Sequence, residues 1–155
     1  MMSRVQKGLI AGLAATAVVS VLEAINMTVG HWAVAFPQIL AVMLQNSDTP
    51  AVGWVAHVAA GLGLGALFGV LCPRLPTDTP ESKGILFAVG AFILMGLVIA
   101  PIGGGGMFFM RAGFGSLVWM IASHAIFGIV LGNVYGRLVA RERRLRVPLD
   151  GATAH

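Results

Sequence analysis

Glu23, Asn26, His57 and His124 are polar side chains set in stretches of sequence that are otherwise almost wholly apolar. An ionisable group in hydrocarbon costs about 2.5–3.5 kcal/mol on insertion scales, so a residue of this kind is expected to have a partner or a function. His57 and His124 offer imidazole nitrogens, which from two helices can hold the iron of a haem b between them. With the carboxylate of Glu23 the same two histidines make a possible transition-metal set. Glu23 alone could exchange protons, the basis of a small proton-coupled transporter. The plainer reading is structural: each histidine bonds across a helix interface, worth only ~0.6 kcal/mol on average, and Glu23 holds the first helix in place.

The elements that must position these residues follow from composition. The chain has 155 residues, 57% hydrophobic and 10% charged, against roughly 25% charged in soluble domains. A single core of that size cannot hide so much apolar surface, so lipid must be part of the solvent. Four runs can cross ~30 Å of hydrocarbon, which takes about 20 residues: 8–29, 51–72, 84–102 and 117–138. The expected architecture is therefore all-α, one four-helix transmembrane domain over 1–146 and a short cytoplasmic tail over 147–155. The stretch 31–45 is too short to span and contains Pro37; it is expected to lie at the interface or to re-enter. Apolar character continues from Gly8 through Val29, past the core of a cleavable signal, so the first run is read as an uncleaved helix. At about 1.5 Å per residue, Glu23, His57 and His124 each lie roughly 9–10 Å below the same ends of their helices. Three ionisable side chains thus share one level.

Orientation follows from Lys and Arg. Arg4, Lys7, Arg74, Lys83, Arg137, Arg141, Arg143, Arg144 and Arg146 fall on one side and only Arg111 on the other, nine of ten basic residues. Both termini are expected in the cytoplasm of a bacterial inner membrane, with Trp32, Trp54 and Trp119 near the opposite face. The run Arg141-Glu142-Arg143-Arg144 is expected to sit on anionic lipid. The formal charge of +4 is thus a topological signal, and nucleic acid is not an expected partner. Cys72 is the one cysteine, so no intramolecular disulfide can form.

The halves resemble each other. Lys7-Gly8-Leu9-Ile10 is echoed by Lys83-Gly84-Ile85-Leu86. His57, Gly61, Gly65, Phe68 and Gly69 are echoed, spacing for spacing, by His124, Gly128, Gly132, Tyr135 and Gly136. Two similar hairpins make a parallel internal repeat. Residues four apart share a helix face, so Gly61, Gly65 and Gly69, and likewise Gly128, Gly132 and Gly136, form flat tracks on which another backbone can pack closely. Glu23 has no twin; Ile99 stands at its equivalent position.

With the opening KGLIAGLAAT, WVAHVAAGLGLGALFGVL, PIGGGG and HAIFGIVLGNVYG, nearly the whole chain resembles a family of small bacterial four-helix inner-membrane proteins classed as a domain of unknown function. That resemblance implies the fold and the location and carries no activity. Lesser features are Gly103–Gly106 with Arg111, a possible anion cradle but more simply a turn. Met27, Met43, Met107, Met110 and Met120 are possible soft ligands but more simply packing. No nucleophile–base pair or loop-borne acid/base set is visible, so the expected function is non-enzymatic: an accessory or structural subunit of a membrane assembly, partnered by lipid, by other membrane subunits or by itself. A haem- or metal-binding electron-transfer module through His57 and His124, and a proton-coupled transporter through Glu23, are the alternatives.

Overall fold

Each long helix starts where the chain chemistry says it should. α1 (Arg4–Ile25) opens on Ser3, whose hydroxyl accepts from the Gln6 N–H while the Gln6 side chain accepts from the Ser3 N–H, a reciprocal cap. Short α2 (Phe36–Met43) and long α3 (Pro50–Leu71) carry proline in the first turn, where a missing N–H loses no helical bond. Thr79 caps α4 (Pro80–Leu94) by accepting from the Ser82 N–H. The last helix is α5 (Phe114–Arg146). α4 runs on through a π-helical turn, Met95–Ile99, into Ala100–Ile102. The ladder widens there because Pro101 has no N–H and its ring crowds the carbonyl four residues back. These features come from a computed structural model that describes residues 1–146; the expected tail over 147–155 lies outside the described residues.

Among the described residues four helices are long and apolar enough to cross a membrane: Arg4–Gly30, Pro50–Arg74, Pro80–Ile102 and Phe114–Leu145. The chain is therefore a multi-pass, all-helical membrane protein. α5 is longer than its apolar run implied. At about 1.5 Å per residue, its 33 residues reach well past ~30 Å of hydrocarbon.

Glycine decides the pairing. α1 lies on α3 with Gly8 and Gly12 against Gly61, Gly65 and Gly69; a Cβ on Gly12 would stand 2.7 Å from the Gly65 Cα. α4 lies on α5 with Gly84 against Gly128 and Gly132, where a Cβ on Gly84 would stand 2.8 Å from the Gly132 amide nitrogen. The tracks on α3 and α5 therefore face the first helix of their own hairpin, and not each other. α1 also packs on α5, so the helices follow one another around an arc in the order α3, α1, α5, α4. α3 and α4, at its two ends, meet chiefly where the Phe68 and Phe87 rings touch, 5.4 Å between centroids.

Two apolar cores result. The one nearer the basic end, which carries Arg4, Lys7, Arg74 and Lys83, contains Ala11, Ala15, Phe68, Phe87, Leu131 and Tyr135. The other, at the far end, joins Ile39, Met95, Ala100, Phe109 and Met120. α2 packs on α3 through Pro37 and Ala41, with the Pro37 carbonyl seated over Gly53, and turns Ile39 into the far core.

At the charged end one acidic residue joins two helices. Lys7 is only 8% exposed and pairs with Glu142 at 2.6 Å. The Met2 N–H donates to the same carboxylate at 2.8 Å. Glu142 therefore ties the start of α1 to the end of α5, while Arg141, Arg143 and Arg144 stay exposed. Lys83 donates to the Cys72 carbonyl at 3.1 Å, closing the α3–α4 turn.

Candidate functional site

Between the two cores lies a cavity of about 390 Å³. Its walls are apolar, with contributions from all five helices and from the loop after α4. Glu23, His57 and His124 all line it. The three residues singled out from sequence are thus brought together, each facing inward.

Glu23 is 1% exposed. Its Oε1 accepts from the Trp119 indole N–H at 3.0 Å, and its Oε2 accepts from the Phe36 backbone N–H at 3.4 Å. Two donors on one carboxylate balance its burial, as a buried charge-bearing group requires. Asn26, fully buried one turn on, hydrogen-bonds the Glu23 side chain and also serves the backbone: its Oδ1 accepts from Trp32 and Ala33 N–H and its Nδ2 donates to the Ala33 carbonyl. It fixes the link that delivers α2 to the cavity and does not line the cavity itself.

His57 is 6% exposed, and neither ring nitrogen has a hydrogen-bond partner. Its ring is held instead by aromatic edges, from Trp54 at 5.9 Å and Phe36 at 5.8 Å. His124 bonds through Nδ1 to the Met120 carbonyl at 2.8 Å, an arrangement that orients the ring and leaves Nε2 for another partner. The His124 ring meets Phe92 at 5.4 Å and Phe36 at 6.4 Å.

Phe36 is the residue that sequence reasoning missed. It touches both imidazoles with its ring and Glu23 with its N–H, so the first residue of α2 links all three polar groups. Trp119, read as part of an aromatic belt, also donates to Glu23, and Trp32 leans on it at 5.8 Å. The only signal for Phe36 was its place before Pro37, in a segment already suspected of dipping inward.

The three polar residues share a cavity but not a coordination point. Among the described residues no three His, Cys, Asp or Glu side chains form a group that could hold a metal ion. Glu23, His57 and His124 are therefore not gathered into a three-ligand group. The two histidines by themselves have the donor chemistry for haem iron, but a haem ligated by both would compete with Phe36, which packs against each ring. Gly103–Gly106 forms a turn, the simpler of its two readings. The N–H groups of Gly103, Gly104 and Gly105 donate to α4-end carbonyls, and Arg111 donates to the Gly104 carbonyl at 3.1 Å. The methionines form no ligand set on one site: Met120 is core, Met43 lines the cavity, and Met107 and Met110 are exposed.

The loop after α4 closes the far end. Phe108 and Phe109 both sit in the left-handed region, at φ 51° and 56°, a conformation costing about 1–3 kcal/mol for a non-glycine residue. In return Phe109 is buried against the cavity and Phe108 packs on Phe92 at 5.3 Å.

No curated protein and no solved structure matches this chain. The model of the "Family of unknown function (DUF6789)" matches residues 2–146, a span that contains every described helix, the cavity and all of its polar lining, and the chain belongs to that family.

Proposed function

We propose that this protein is a non-enzymatic bacterial inner-membrane protein that binds a lipid-soluble ligand in its central cavity, and that it serves a membrane assembly as an accessory subunit. One observation carries the binding: His57 is buried on the cavity wall with both ring nitrogens unpartnered. A buried polar group left unsatisfied costs about 1–3 kcal/mol, and in a native protein such a group calls for a partner. A ligand headgroup in the cavity supplies one. The experiment is organic extraction of the protein purified without added ligand, followed by mass spectrometry. A lipid-soluble molecule enriched at close to one per chain, and lost in His57→Phe, is the expected result; an extract indistinguishable from bulk lipid would refute it.

The haem reading draws on the same orphan nitrogens and on His124 Nε2. An optical spectrum tests it at once: a Soret band means that Phe36 gives way to a porphyrin. The transport reading draws on Glu23 at the cavity wall, although both carboxylate oxygens already hold N–H donors.

Orientation remains as the basic residues set it, with both termini cytoplasmic. A periplasm-active reporter fused after His155 should be silent and one inserted near Asp48 active. Activity at the C-terminus would overturn the topology.

The internal repeat is likewise part of this reading, with one amendment. Gly8 packs between the Gly65 carbonyl and the Gly69 amide, and Gly84 between the Gly128 carbonyl and the Gly132 amide. The pattern recurs, but the second hairpin is slipped by one helical turn relative to the sequence match. His124 thus sits one turn, about 5.4 Å, closer to the basic end relative to its partner helix than His57 does. The histidines are not strict twins about a pseudo-two-fold axis.

A further inference from the structure

The cavity's chemistry and its opening together narrow the ligand, if the binding reading above holds. Val19, Leu40, Leu64, Leu94 and Phe127 give it apolar walls, and no Lys or Arg lines it. An anionic headgroup would therefore meet the Glu23 carboxylate with no cation to offset it, an unfavourable encounter at low dielectric. Both Glu23 oxygens already accept one N–H, and a carboxylate has lone pairs to spare. A neutral imidazole at His57 donates through one nitrogen and accepts through the other. Two N–H donors already offset the Glu23 charge, so the unmet demand sits at the two His57 nitrogens, and an uncharged group that accepts, donates, or does both meets it.

The way in is lateral. α3 and α4 are the two ends of the helix arc, and the Phe68–Phe87 contact lies in the core nearer the basic end. Above it, Gly63 on α3 and Leu94 on α4 line the cavity while also being exposed at the surface. Leu94 is 60% exposed, and a side chain added at Gly63 would meet nothing within 4 Å. That surface faces hydrocarbon in a membrane-spanning bundle.

We infer that the cavity takes an uncharged, single-tailed, lipid-soluble molecule with a hydroxyl or carbonyl headgroup, admitted sideways from the bilayer between α3 and α4. The headgroup bonds His57 and reaches toward Glu23 and His124, and the tail leaves past Gly63 and Leu94. Quinones and long-chain isoprenoid alcohols share this chemistry.

The test uses the full chain in phosphatidylcholine nanodiscs, with four probes: decylbenzoquinone, farnesol, oleate and dodecyltrimethylammonium. Trp119, bonded to Glu23, reports occupancy by fluorescence, and unfolding temperature reports it independently. Decylbenzoquinone or farnesol should bind saturably, the tighter of the two naming the source, with oleate and the ammonium at least tenfold weaker. His57→Phe keeps the ring but removes the nitrogens and should weaken binding at least tenfold. Gly63→Trp fills the opening and should slow association at least tenfold without changing the unfolding temperature of the empty protein. Equal association rates in Gly63→Trp and the parent would overturn lateral entry and leave the cavity reading intact. Preference for oleate or the ammonium would overturn the headgroup class. Saturable binding by none of the four, together with an extract identical to bulk lipid, would overturn the binding reading itself.

Discussion

Gly65→Leu unfolds the bundle far more readily than Gly63→Leu, two positions away on the same helix. Gly65 faces the Gly8 carbonyl and the Gly12 backbone, and a Cβ there would stand 2.7 Å from the Gly12 Cα. Backbone cannot rotate aside as a side chain can, so α1 must move off α3 along its length. Overpacking typically costs about 1–3 kcal/mol, and this site belongs at or beyond the upper end, roughly 3 kcal/mol or more. Gly63 meets nothing within 4 Å, so Gly63→Leu should stay within about 0.5 kcal/mol of the parent, as an unconstrained surface change does. Gly132→Leu, pressed against Pro80 and Glu81, should behave like Gly65→Leu. Thermal or detergent-induced unfolding of the three variants, followed by loss of helical circular dichroism, gives the ranking. Equal tolerance at positions 63 and 65 would mean that α1 and α3 do not pack through this track. Gly104 would be a poorer control, because its φ of 77° strains any side chain regardless of space.

Glu23→Ala is expected to release α2. The substitution leaves the Trp119 indole N–H and the Phe36 N–H without acceptors, each costing about 1–3 kcal/mol when buried. A summed loss of roughly 2–6 kcal/mol follows, offset in part because the variant no longer carries a carboxyl group in an apolar layer. Glu23→Gln keeps one carbonyl acceptor and should lose about half as much. The loss is local, since Phe36 is the hinge between Glu23 and both imidazoles. Hydrogen exchange of the Phe36 amide and its α2 neighbours should accelerate at least tenfold in Glu23→Ala, while exchange in the α1–α3 contact near Gly8 stays as it was. A red shift of Trp119 emission should accompany it. Unchanged exchange across α2 would show that the segment is seated by Ile39 and Ala41 alone, and that the carboxylate does not hold it.

Much of this arrangement is legible in the residues because its causes are local. Hydropathy over some twenty residues reports whether a segment can sit in hydrocarbon, and four segments could. The four-residue spacing of Gly61, Gly65 and Gly69 shows one flat face because helix geometry puts those positions in line. The shared level of Glu23, His57 and His124 follows from rise per residue alone, and all three do line one cavity.

What the residues leave open is every choice between equivalent partners. Two glycine tracks of the same flatness can pack on each other or on their neighbours. Only the meeting of Gly8 and Gly12 with α3, and of Gly84 and Pro80 with α5, selects the second arrangement. Glu23 could pair with either histidine at its level, yet it takes an indole ninety-six positions away and a backbone amide from a short helix that is too brief to span. Lys7 and Glu142, read as separate charges at a membrane surface, become one ion pair because α1 and α5 end side by side. Periodicity along a helix is fixed by the backbone and can be read from the chain. Which side chain meets which is fixed by how closely the helices approach, and that exists only once the bundle has formed.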